Sequence, residues 1–157
     1  MAVPDLEKKI EKLEKKVREL EDLEEIKMMH REYLFYISNL EFDKALDCFT
    51  DDIVSDVANY GVIQGKEAVT KFFKEVIYKN VATSRDAHFT GQAVIELDGD
   101  KAKGHWMFYR FLGRPAAQVW VQGRYDCEYA RVDGQWKFSL LKMKRPWPAF
   151  FADKTAK

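Results

Sequence analysis

Residues 101–112 read KAKGHWMFYRFL, residues 117–131 read AQVWVQGRYDCEYAR, and residues 135–145 read QWKFSLLKMKR. Apolar and polar side chains alternate along these runs, which are rich in aromatic and β-branched residues, the pattern of half-buried strands. A fourth such run, 87–97, precedes them. The gaps hold turn formers: Asp98-Gly99-Asp100, Gly113-Arg114-Pro115 and the tight pair Asp133-Gly134. Four long strands joined by hairpins predict an antiparallel sheet.

Upstream the period changes from two to about 3.6. Residues 5–38 read as one long helix or two abutting ones. Leu6, Ile10, Leu13, Val17 and Leu20 form a narrow apolar stripe among Glu, Lys, Arg and Asp, similar to a short coiled-coil seam. That stripe predicts a covering surface, on the chain's own domain or on a neighbouring subunit. From Leu23 to Ile37 the apolar face broadens, so this part should sit deeper. Ser38-Asn39 ends the helix, and residues 41–49 predict a second, with Phe42, Ala45, Leu46 and Phe49 inward. A strand at 53–57, a turn at 59–61 and a third helix at 65–78 follow. Helices before strands give an α+β chain, the helices covering the sheet. Residues 1–21 form a charged helical extension and 22–157 the domain.

Composition narrows the function. Twenty-six basic and twenty-six acidic residues cancel, which favours neither nucleic acid nor a membrane surface as partner. Cys48 and Cys127 have neither metal-ligand nor disulfide-framework spacing. The start at Met1 runs straight into charge, unlike a secretory leader, and no apolar stretch is long enough to span a bilayer. A cytoplasmic protein is expected. No phosphate-binding glycine loop, nucleophile elbow or metal cluster is visible, and no cofactor is expected.

Several weak signatures occur in a telling order. Asp22-Leu23-Glu24-Glu25-Ile26-Lys27 leads to Tyr33; Phe42-Asp43-Lys44-Ala45-Leu46 precedes Phe49-Thr50-Asp51-Asp52; Gly65-Lys66-Glu67-Ala68-Val69 opens the third helix. Ala87-His88-Phe89 opens the sheet, and Gly123-Arg124-Tyr125 leads to the run from Tyr129 to Phe138. Over about residues 22–147 this resembles the SnoaL-like branch of the nuclear-transport-factor-2-like superfamily. The likeness is strongest to the bile acid 7α-dehydratase group, and more distant to the scytalone dehydratase and lindane dehydrochlorinase groups. It implies a cone-shaped α+β barrel, with N-terminal helices packed on a curved, mostly antiparallel sheet around a deep pocket. It also implies a histidine base and self-association as a homotrimer, or else a dimer. The catalytic tyrosine and histidine fall on Tyr33 and His88, and the cavity arginine on Arg145. Ser38 and Arg110 stand where aspartates are usual, and Val57 where a second cavity tyrosine is usual.

The residues themselves fit such chemistry. A histidine takes and returns a proton near neutrality, and the buried phenol of Tyr33 or Tyr36 can donate to an oxygen. Arg145 and Arg110 suit a carboxylate or a developing enolate. Alternation places Trp106, Phe108 and Arg110 on one face of their strand and His105 on the other. Trp106, Phe108, Trp120, Tyr125 and Trp147 are the expected apolar wall. His30 reads as a packing or surface residue. The expected activity is a cofactor-independent lyase, dehydratase-like, or isomerase. Its partner is a hydrophobic, ring-containing small molecule bearing a carboxylate or carbonyl. The alternative is a non-catalytic small-molecule-binding domain of the same fold.

Overall fold

Asp133 and Gly134 both have positive φ, 50° and 78°, the geometry of a two-residue type I′ turn, which matches the twist of paired strands. This turn joins two of the long strands anticipated above. The computed structural model describes residues 3–57, 60–84, 87–114, 117–144 and 151–152. Helix α1 (Val3–Ser38) and helix α2 (Phe42–Asp47) come first, then strands β1 (Phe49–Val57) and β2 (Val62–Gln64). Helix α3 (Lys66–Phe72) runs through a π-helical turn (Phe73–Ile77) into α4 (Tyr78–Ser84). Strands β3 (Ala87–Asp98), β4 (Lys101–Arg114), β5 (Ala117–Val132), β6 (Gln135–Lys144) and the short β7 (Phe151–Ala152) complete it.

The sheet order is β2-β1-β6-β5-β4-β3, with β7 pairing β5 at Val119 and Trp120. Neighbours are antiparallel except β1 and β6, which run parallel. The fold is therefore α+β as expected, but the barrel is not closed: β2 and β3 stand at opposite ends of the order. The expected second helix stops at Asp47, because Phe49 already pairs with Phe138 in the sheet. The third runs on to Ser84.

One face of the sheet and the helices enclose an aromatic core. Tyr33 meets Phe138 edge-on and Phe49 at a tilt, and Phe49 meets Phe73 edge-on. Ile26, Ile53, Phe138 and Leu141 have no exposed surface. Truncating a buried phenylalanine such as Phe138 costs about 3–5 kcal/mol. In β4 the alternation holds without interruption: Ala102, Trp106 and Phe108 are buried, while His105 is exposed.

Strand β3 differs. Its register shifts between Gly91 and Val94, and Gln92 adopts φ 53°. This bulge exchanges the faces. Before it, His88 and Thr90 are the more buried positions; after it, Ala93, Ile95 and Leu97 are. His88 shares an inner face with Ile95 only because of that extra residue.

The N-terminal third of α1 stands apart. Leu6, Ile10, Leu13, Val17 and Leu20 are 51, 47, 64, 52 and 59% exposed. Coverage of the stripe by its own domain, one of the two expectations, does not occur. Where α1 meets the sheet, Arg131 pairs with Asp22 and, at 3.2 Å, with Asp100, its guanidinium 4.6 Å above the Trp136 ring. No described helix is long and apolar enough to cross a membrane.

Candidate functional site

Helix α1 ends in a Schellman motif. The Leu40 N–H donates to Ile37 O at 3.3 Å and the Glu41 N–H to Tyr36 O at 2.8 Å, around a left-handed Leu40 with φ 63°. A leucine there is strained, since only glycine takes this conformation freely. The motif fixes the last helical turn, and with it Ser38. The Ser38 hydroxyl meets the start of β3: the His88 backbone N–H donates to Ser38 Oγ at 3.2 Å, and His88 Nδ1 lies 3.2 Å from the same oxygen. Directly across the ladder from His88 is Arg110. The His88 ring stacks on Phe108, centroids 5.8 Å apart.

His88, Phe108 and Arg110 open on one cavity of about 70 Å³. Tyr33 and Ile37 from α1, Phe73 and Ile77 from the π-helical turn, and Val81 from α4 line it together with His88, Phe108, Arg110, Tyr125 and Met143. π-Helical turns recur at functional sites, and here both ends of one face the cavity. The volume is well below the roughly 300–1,000 Å³ of pockets that hold drug-sized ligands.

Electrostatics give the groups distinct states. Burial, and secondarily the Arg110 charge, lowers the His88 pKa to about 3, so the ring is neutral near pH 7. Burial raises the Tyr33 and Tyr125 phenols well above their ordinary value, so both remain hydrogen-bond donors. A carboxylate beside Nδ1 could only accept, which would place the ring proton there and leave Nε2 basic. The Ser38 hydroxyl can donate or accept, so it fixes the ring's position without fixing its tautomer.

Other expected residues lie elsewhere. Trp106 is buried but behind the cavity wall, stacked on His30 at 4.2 Å with its Nε1–H donating to Tyr129 Oη at 2.8 Å. Tyr36 faces a surface groove beside Lys44, whose ammonium lies 5.5 Å from its ring. Trp120 is 44% exposed and packs on Phe89 and Phe111 on the opposite face of the sheet, because its strand neighbour Val121 takes the inward position. These three placements correct the expected wall and donor set. Arg145 and Trp147 lie outside the described residues.

Of the two places expected for His30, packing or surface, the structure shows packing. The residue is fully buried, with Nδ1 3.0 Å from Tyr129 Oη. Tyr129 Oη accepts from Trp106 and meets His30 Nδ1 through whichever of the two carries the proton, so the contact fixes the ring's position without fixing its tautomer; the other ring nitrogen is Nε2. That atom is buried without a hydrogen-bond partner, and the ring meets Tyr125 and Phe138 edge-on. Burial depresses its pKa to about 3. The spacing Ile26, His30, Tyr33, Ile37 was the signal that His30 belongs to the inner helix face. On the outer sheet face His105 is exposed and pairs with Asp126 at 2.7 Å. Among the described residues no group of His, Cys, Asp and Glu could hold a metal ion.

Helices on one face of an open, mostly antiparallel sheet, with a histidine at the start of β3 beside the cavity, define a cystatin-like α+β fold. A dehydrochlorinase of hexachlorocyclohexane from Novosphingobium barchaimii superposes with TM-score 0.76 at 19% identity, over 89% of this chain and 95% of that one. A nuclear-transport-factor-2-like protein with a cystatin-like fold from Novosphingobium aromaticivorans gives 0.71 at 19% identity, over 83% and 86%. A protein proposed as a scytalone dehydratase from the same species gives 0.70 at 18%, over 80% and 84%. At these identities the likeness establishes the fold alone. No curated protein matches the sequence. The family model of the SnoaL-like domain matches residues 18–142, and the chain belongs to that family.

Proposed function

We propose that the chain is a cofactor-independent lyase of the dehydratase type, or an isomerase, acting on a hydrophobic oxygenated molecule at the His88 cavity. The observation that carries this reading is the convergence of His88, held by Ser38, with the phenols of Tyr33 and Tyr125 and the Arg110 guanidinium on one apolar-lined cavity. In a dehydration, His88 removes the proton next to a carbonyl and the C–H electron pair moves onto the carbonyl oxygen. Tyr33 donates to that oxygen, and Arg110 lowers the energy of its charge. Collapse of the enolate expels the β-hydroxyl, which leaves as water with the proton from His88. A negative charge developing in the cavity raises the affinity of His88 for a proton, opposing the burial that lowers it. A ring-containing substrate exceeds about 70 Å³, so the lining must move to admit it.

The test is elimination from a panel of alicyclic β-hydroxy ketones, followed as enone absorbance. His88→Gln should lower turnover by about 10²–10⁴-fold with little change in affinity. Turnover that survives the substitution defeats the reading. One observation favours a second: a neutral His88 with a hydroxyl partner rather than a carboxylate suits a binding domain without catalysis. That alternative stands if a member of the panel binds saturably and none is converted.

A further inference from the structure

We infer that the protruding part of α1 is the dimerisation element of the protein, pairing with the same helix of a second copy as a parallel, in-register, two-stranded coiled coil. Spacings of four and three place Ile10 and Val17 at heptad position a and Leu6, Leu13 and Leu20 at d. β-Branched residues at a with leucine at d favour two strands over three. All five side chains are about half exposed or more.

The stripe cannot be covered from below. Farther along α1 the buried residues are Ile26, His30, Tyr33, Leu34 and Ile37, and they lie about two-fifths of a turn around the helix from the seam. The seam itself ends at Leu20, since the next a and d positions are Glu24 and Lys27. A short coiled coil normally suffers from the cost of nucleating its helices. Here the packed end of α1 has already set the helix.

The charges flanking the seam select the partner and its direction. Position e carries Glu7, Glu14 and Glu21, and position g carries Lys9 and Lys16. In a parallel pair each g side chain meets the e side chain five residues on in the partner helix, which sets Lys9 against Glu14 and Lys16 against Glu21. The twofold repeats both pairs. Lys9 also reaches Asp5 of its own helix at 3.3 Å. An antiparallel pair would oppose e to e and g to g, glutamate against glutamate and lysine against lysine. The same pattern therefore attracts one arrangement and repels the other.

Sedimentation equilibrium of the full chain tests this. The wild type should be a concentration-dependent dimer. Lys9→Glu with Lys16→Glu converts all four flanking contacts to repulsion and should weaken association by at least about tenfold. Glu14→Lys with Glu21→Lys should do the same, and mixing the two variants should restore a heterodimer. Leu6→Cys should crosslink to its own copy in the dimer, since antiparallel pairing, which sets d against a, would place Leu6 opposite Val17 instead. A wild-type monomer at tens of micromolar, an assembly indifferent to the charge reversals, or a trimer would overturn the inference. Circular dichroism of each variant shows whether α1 remains helical; the exposed positions of all four charges predict that it does.

Discussion

A single oxygen, Ser38 Oγ, holds both the backbone nitrogen and the ring nitrogen Nδ1 of His88, each at 3.2 Å, across fifty residues of chain. Ser38→Asp would replace a group that can donate or accept with one that only accepts. The carboxylate should raise the His88 pKa from about 3 by one to three units, measured by NMR of the ring carbons. Arg110→Gln should raise it less, because burial is the larger cause of the depression. An unchanged midpoint in Ser38→Asp would mean that the side chain does not reach Nδ1.

Two neutral buried histidines make stability depend on acid. His30 and His88 titrate at about 3 in the folded chain and near 6.5 when unfolded. The unfolded state binds more protons between those values, so the stabilisation is fully present above pH 6.5 and is lost as pH falls toward 3. With both groups contributing, the slope should be about 2.7 kcal/mol per pH unit between pH 4.5 and 6, and about half that in His88→Gln. Urea titrations at successive pH values give these slopes directly. A flat profile would show that both rings reach water in the native state.

Tyr129→Phe removes one oxygen but strands two partners, the Trp106 N–H and His30 Nδ1, inside the core. The expected loss is about 1–3 kcal/mol. Gly104→Ala should be comparably harmful for a different reason. Its Cβ would lie 2.9 Å from Tyr129 Cε2 and 3.2 Å from Trp106 Nε1, with no flexible side-chain end to yield. Thermal melts of both variants check the pair, and a Gly104→Ala protein as stable as wild type would show that the network relaxes freely.

Leu40→Gly should stabilise the chain by about 0.5–1 kcal/mol, since glycine occupies the left-handed C′ position without strain. Leu40 is 43% exposed, so little packing is lost. A fall in melting temperature would show that the Leu40 side chain contributes more than its conformation costs.

Strand β4 could be read from sequence nearly residue by residue, because its pairing register is unbroken from Lys101 to Arg114 and its burial alternates from Lys101 to Phe108. The same logic, applied strictly, separates Trp120 from Tyr125: they are five residues apart in a strand whose pairing with β4 has no bulge, so they cannot share a face. Only Tyr125 does line the cavity. The contact of Ser38 with His88 was beyond local reading. It depends on how the end of α1 meets the start of β3, and no periodicity encodes that meeting. The burial of Trp106 behind the cavity was equally hidden, since alternation gives a side chain its face but not its depth.

The bulge at Gln92 divides β3 into two segments with independent phase. Deleting that one residue would leave Ile95 and Leu97 packed as before, while rotating everything upstream by half a period. His88 and Thr90 would face solvent, and Phe89 would swing inward as a plug. One codon thus indexes the chemical end of the strand separately from its structural end, so the site could be switched off or rebuilt without disturbing the core beneath it.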